Sequence, residues 1–237
     1  MLQIEMEITR GNYHRGAPAR ALAALLAALL AGCGDGGGSA PGASTGAGER
    51  PALAGPHDVA VLELEGLGTI RFELYAELAP ATVAHFAKLA REGFYDGVTF
   101  HRVIPGFMLQ GGDPNTRDAD PRNDGRGSPD SDLPREPSAW PHERGTVSWA
   151  ASGRRPSGSQ FFIVQADAPH LDGRHNVIGR VVEGIDVVDA VAALEIDTYG
   201  RYGPTDRPYP IDARIRSIRI EPAREQPQSR VAGNPPG

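Results

Sequence analysis

Residues 100–113 read FHRVIPGFMLQGGD, and the placement of their apolar residues already constrains the fold. Thr99–Ile104 and Phe107–Gln110 are short runs with strand character on either side of Pro105-Gly106. Strand alternation puts Arg102 and Ile104 on one face and His101 and Val103 on the other. Working outward, Val59–Leu64 and Thr69–Leu74 alternate apolar with polar residues around Gly66-Leu67-Gly68, a hairpin signal. Further strands are predicted at 145–150, 160–164, 176–182 and 213–220. The period changes between Ala79 and Glu92, where Val83, Phe86, Ala87 and Ala90 share one helical face and Pro80 suits a first turn. A second helix fits Ile185–Leu194. Eight short strands and two helices around one core suggest a closed antiparallel barrel with helices at its ends, although composition alone does not choose a barrel over a sandwich.

The rest of the 237-residue chain narrows the classes. With 24 basic and 30 acidic residues, net charge −6 and no basic cluster, nothing marks a nucleic-acid binder. One cysteine rules out a disulfide framework and a multi-thiolate zinc site. The 30 Gly and 21 Pro exceed ordinary usage, which suggests segments that form no core beside a folded part. Ala21–Gly32 is an apolar run behind Arg15 and Arg20, too short to span a bilayer but suited to a secretory signal. The residues Leu30-Ala31-Gly32-Cys33 resemble the lipobox of bacterial lipoproteins. That resemblance implies removal of residues 1–32, acylation of Cys33 and anchoring to a membrane of the cell envelope, facing the periplasm or exterior. Residues 33–56 then form a flexible Gly/Ala/Ser/Pro tether, residues 57–222 the folded domain and residues 223–237 a disordered tail.

Two motifs are too particular for generic strands. One is the quoted 100–113 stretch. The other is Ser157-Gly-Ser-Gln-Phe-Phe-Ile-Val164, followed by His170-Leu-Asp-Gly-Arg-His-Asn-Val-Ile-Gly179. Together they resemble the cyclophilin family of peptidyl-prolyl cis-trans isomerases, over essentially the whole span Val59–Ile220. The resemblance implies an eight-stranded closed antiparallel β-barrel capped by two α-helices, with no cofactor and no metal. It assigns Arg102 as the catalytic arginine. Phe107, Met108, Phe162 and Leu171 become the proline pocket, with His175 at its wall. Gln110 and Gln160 hold Arg102 and the substrate backbone, while Ala150, Ala151 and Ser152 form the groove beside the peptide. Gly125 is matched to a groove glycine. His170 stands where many members carry Trp, and Ala151 where Asn is common. Trp149, Arg154 and Arg155 are unusual in their segment and are candidates for shaping a secondary pocket.

Elementary chemistry points the same way. An X-Pro bond rotates over a barrier of about 20 kcal/mol, and at the twisted state the prolyl nitrogen regains its lone pair. A catalyst therefore needs an apolar slot for the ring and a donor aimed at that nitrogen, not a nucleophile or a metal. Arg102 carries a permanent charge and several N–H donors. The implied partners are proline-containing polypeptides, exported or envelope proteins whose folding is assisted, and the implied protein is a monomer. A peptide-binding or holdase module would use the same groove with turnover incidental, and a scaffold displayed from the membrane is a third reading. The Asp-rich stretch Asp113–Pro141 has prolines and Arg122 where a calcium loop needs ligands, and reads as a solvated surface loop. No Gly-x-Ser-x-Gly elbow accompanies a Ser-His-Asp order.

Overall fold

A computed structural model describes residues 53–201, 205–209 and 213–223. The 1–32 leader, Cys33, most of the 33–56 tether and nearly all of the tail therefore lie outside the described residues. Strand β1 (Val59–Leu64) turns through Gly66, at φ 70°, into β2 (Gly68–Leu74), with Val59 opposite Glu73 and Leu64 opposite Gly68. Helix α1 (Pro80–Arg91) buries Val83, Phe86, Ala87 and Ala90 as its periodicity requires, and Pro80 sits in its first turn. The site-bearing hairpin is β3 (Phe100–Ile104) and β4 (Met108–Gly111). Then come β5 (Thr146–Ser152), β6 (Arg155–Val164), β7 (Val177–Glu183) and α2 (Ile185–Ala192). The short strands β8 (Ile196–Asp197) and β9 (Arg207–Pro208) pair with each other, and β10 (Ile215–Glu221) ends the sheet. Strand β6 starts five residues before its expected position, and β8 and β9 carry no pattern that marked them.

All eight long strands pair antiparallel in one curled sheet, in the order β10-β1-β2-β7-β5-β6-β4-β3. The predicted strands and helices are present, but the seam of a closed barrel is not a strand ladder. Edge strands β10 and β3 approach through a single bridge between Thr99 and Arg214, flanked by Phe100 N–H to Ala213 O at 3.0 Å and Ile215 N–H to Val98 O at 2.7 Å. Beyond that point β3 leaves β10, and the Val103 amide donates instead to the carbonyl of Asp206 at 2.7 Å. Asp206, just before β9, thus occupies the edge that a closed ladder would use.

Alternation divides β6 between two apolar clusters. Phe161 and Ile163 point into the sheet's interior with Phe72, Phe86 and Trp149, where Phe161 meets Phe86 and Tyr95 edge-on at 5.8 and 5.6 Å between ring centroids. Phe162 and Val164 belong to the other cluster, with Met108 and Ala150 and with Ile104, Phe107 and Leu171 packed against it. Each buried Phe of this kind contributes about 1.5–3 kcal/mol, so both faces of β6 are held by packing. Phe100 and His101 are both buried because a register shift interrupts the alternation of β3 between Phe100 and Arg102.

The Asp113–Pro141 stretch is a surface loop only in part: Asp118, Asp130 and Asp132 are exposed, but Asp113, Thr116, Asp124 and Trp140 are buried. Asp113 is fully buried and accepts from the amides of Asn115 and Gly127 at 2.8 and 2.9 Å, and burial raises its carboxyl pKa. Asp124 is buried 2.9 Å from Arg207. Glu136 supplies the cap that Ala79 cannot, accepting from the amides of Ala81 and Thr82, each at 2.9 Å. Apart from the local Asn115 amide, the partners of these carboxylates lie far away in sequence, which linear spacing does not display.

Candidate active site

Register brings the site together. Arg102 of β3 stands opposite Gln110 of β4, Gln110 opposite Phe162 of β6, and Phe162 opposite Ser148 of β5. Cross-strand partners share a face, so this row lies on the outer face of the sheet while Val103, Leu109 and Phe161 fill the inner one. The turn at Pro105-Gly106, with Gly106 at φ 77°, sets the register and delivers Phe107 beside Met108.

A cavity of about 160 Å³ opens on this face. Phe107, Met108, Phe162 and Leu171 line it, with His175, Ala150 and Ala151 beside them, and Arg102 and Gln110 complete the lining. Nine of the residues singled out from sequence therefore converge on one slot. The His175 ring stands edge-on to Phe162 at 5.1 Å, and its Nδ1–H donates to the carbonyl of Trp149 at 3.2 Å. Burial lowers the pKa of His175, so the wall favours the neutral form. Arg102 is left as the cation of the lining, with its side chain 43% exposed.

Ser152 and Gln160 line a neighbouring cavity of about 430 Å³, which shares Gln110, Ala150 and Ala151 with the first. Gly125 and Arg155 line it too, whereas Trp149 is packed in the interior and Arg154 is absent from the lining. His170 is exposed, and its ring lies 5.3 Å from that of Phe107. The amides depart from expectation in one respect. Gln110 Nε2 donates to Gln160 Oε1 at 2.9 Å, and Gln160 Nε2 donates to the carbonyls of Gly127 and Gly125 at 2.7 and 3.2 Å. The anion nearest Arg102 among the described residues is instead Asp206, whose Oδ2 lies 3.8 Å from Nε.

A Ser-His-Asp chain is also present, which sequence order did not suggest. Ser148 Oγ lies 3.0 Å from His142 Nε2, and His142 Nδ1 lies 3.0 Å from Asp172 Oδ1. Ser148 is 0% exposed and the His142 ring stacks on Phe162 at 6.0 Å, so no substrate carbonyl reaches the hydroxyl. The chain braces the floor of the slot. Its three members come from separate segments, and no local spacing could have marked them. Among the described residues no group of three His, Cys, Asp or Glu side chains converges to hold a metal. What the arrangement offers is an apolar slot with a multi-donor cation at its edge.

The comparisons agree with this geometry. The family model described as cyclophilin type peptidyl-prolyl cis-trans isomerase matches residues 59–220. The chain is 50% identical over 125 residues to peptidyl-prolyl cis-trans isomerase B of Bacillus subtilis (strain 168), covering 52% of this chain and 82% of the relative. It is also 50% identical over 147 residues to a peptidyl-prolyl cis-trans isomerase of Synechococcus elongatus, covering 59% and 96%. A Cryptosporidium parvum cyclophilin type isomerase, solved in the presence of the dipeptide Ala-Pro, superposes with a TM-score of 0.59 at 25% identity, covering 69% of this chain and 98% of that one. With motifs, slot and relatives in agreement, the chain belongs to the cyclophilin-type peptidyl-prolyl cis-trans isomerases.

Proposed function

We propose that this isomerase acts as a monomer on X-Pro bonds of exported and envelope polypeptides, assisting their folding, while an acylated Cys33 and the 33–56 tether hold it at the membrane. The observation that carries the catalytic part is the sharing of one cavity by Arg102 and the apolar residues Phe107, Met108, Phe162 and Leu171. The proline ring enters that slot and sheds water, with His170 and His175 at its margins. The peptide backbone runs along Ala150, Ala151 and Ser152, and the Gln110–Gln160 amide pair orients it. As the bond twists, amide resonance is lost and the prolyl nitrogen gains electron density. Arg102 donates to that nitrogen, and this interaction is available only in the twisted state. Desolvation strengthens it, since a charge–dipole contact is worth more where water is excluded. The Ala-Pro dipeptide used with the Cryptosporidium parvum relative fits a substrate of this class. The envelope part rests on the residues 21–33 alone.

Exchange NMR on short X-Pro peptides with the full chain tests the catalytic part. Fast cis-trans exchange that falls about a hundredfold in Arg102→Ala is expected, the scale of losing one transition-state donor. Peptide binding with an unchanged exchange rate in the variant would remove Arg102 from the mechanism.

A further inference from the structure

We infer that Asp206 is a positioning residue that aims Arg102, an inference that rests on the catalytic reading of Arg102. Three observations carry it. The first is the ion pair: Asp206 Oδ2 lies 3.8 Å from Arg102 Nε, with the two side chains 27% and 43% exposed. At that distance the contact is ionic rather than a hydrogen bond, so it orients the guanidinium without consuming an N–H.

The second is the backbone. Asp206 is the one non-glycine residue with positive φ among the described residues, at 66°. Its carbonyl accepts from the amide of Val103, the residue after Arg102, at 2.7 Å, and its own amide donates to Asp197 O at 2.9 Å. The carboxylate is therefore registered to the same stretch of strand that carries the arginine. Asp tolerates the left-handed region better than most residues but is not free of strain there, so the conformation is maintained by these bonds.

The third is the neighbour. Arg207 pairs with buried Asp124 at 2.9 Å, with side chains 12% and 1% exposed. Asp124 precedes Gly125, whose carbonyl receives the Gln160 amide. The dipeptide Asp206-Arg207 thus grips both halves of the site, the cation through Asp206 and the Gln160–Gln110 pair through Arg207. A long arginine side chain in partial contact with water samples many rotamers, and a fixed carboxylate beside Nε narrows that set toward the slot.

The test uses the full chain and exchange NMR on a short X-Pro peptide. Asp206→Asn keeps the size and the tolerance for positive φ while removing the charge. It is expected to lower kcat about tenfold, on the scale of a misaimed catalytic group, with KM within about twofold. The thermal midpoint is unchanged and the Arg102 Nε–H resonance shifts. In an Arg102→Ala background the same change adds no further loss, because there is nothing left to aim. An unchanged kcat in Asp206→Asn, or an equal loss in both backgrounds, overturns the inference. If Arg102→Ala itself leaves the rate intact, the catalytic reading of Arg102 fails instead. Should Asp206→Asn not fold, Asp206→Gly suits the same φ without a carboxylate and is judged by the same criteria.

Discussion

Gln160 links three segments through one side chain: it accepts from Gln110 at 2.9 Å and donates to Gly127 O and Gly125 O at 2.7 and 3.2 Å. A buried amide that satisfies both of its ends fixes β4 against the 113–141 segment next to the slot. Gln160→Leu keeps the volume and strands two carbonyls and the Gln110 amide. Leaving such groups unpaired costs about 1–3 kcal/mol. Urea unfolding of the variant should show that loss, together with a raised KM for X-Pro peptides. An unchanged midpoint would mean that water replaces the amide without penalty.

His101 makes stability depend on pH. It is buried beside Gly125 of the 113–141 segment, and desolvation lowers its pKa to about 4, with Arg102 and Arg207 adding repulsion. In the unfolded chain the ring titrates near 6.5. Between those values the unfolded state binds more protons than the folded one, so stability falls as pH drops from about 6.5 to about 4. The loss from this ring amounts to about 3 kcal/mol at the acid end, and nothing is lost above pH 7. Burial also lowers His142 and His175, which act in the same direction. His101→Leu should flatten the change in urea midpoint between pH 7 and pH 4. A slope equal to that of the wild type would assign the acid sensitivity elsewhere.

Ser148 and His142 brace Phe162 and carry out no acyl chemistry. Ser148→Ala leaves His142 Nε2 without its 3.0 Å partner inside the protein. The expected consequence is about 1–2 kcal/mol of lost stability, with a smaller effect on isomerisation than Arg102→Ala. The wild-type protein should also resist a fluorophosphonate probe. Labelling of Ser148 by that probe would show that the hydroxyl is reachable.

Cys33 is the chemical test of the envelope reading. Expression of the full chain in a bacterial host supplied with labelled palmitate should give a labelled, membrane-associated protein, and Cys33→Ser should abolish both. Only a thiol forms the thioether of a lipoprotein, so serine is a clean replacement. Unlabelled wild-type protein in the soluble fraction would withdraw the anchor while leaving the isomerase untouched.

Much of the fold was legible because local periodicity encodes it. Strand β1 has the bounds expected from alternation at Val59–Leu64, and Val83, Phe86 and Ala90 lie on the buried face of α1 as a 3.6-residue repeat demands. The slot was legible for a different reason: apart from Ala150 and Ala151, its residues lie in the two motifs that resemble the cyclophilin family, so their identities survive in linear order. Register brings Met108 and Phe162 to one face, and the turn at Pro105-Gly106 adds Phe107 to the same slot.

What periodicity cannot carry is the choice of partner for an isolated polar side chain. Asp113, Asp124 and Glu136 look alike in a Pro-rich segment whether water or protein surrounds them, and only tertiary contact shows Asp113 and Asp124 buried, the latter facing Arg207, and Glu136 capping α1. The same holds for Arg102, whose neighbouring carboxylate comes from Asp206 rather than from the strand pair that bears it. It holds for the sheet's seam, where Asp206 takes the edge that a full ladder would need. Amino-acid order by itself determined which residues alternate and turn, because those properties are set within a few residues of backbone, and the slot residues were legible only through the family resemblance of their motifs. The tertiary structure decided which charges meet and where the sheet stops pairing, because hydrogen bonds and ion pairs depend on distance in space and carry no period along the chain.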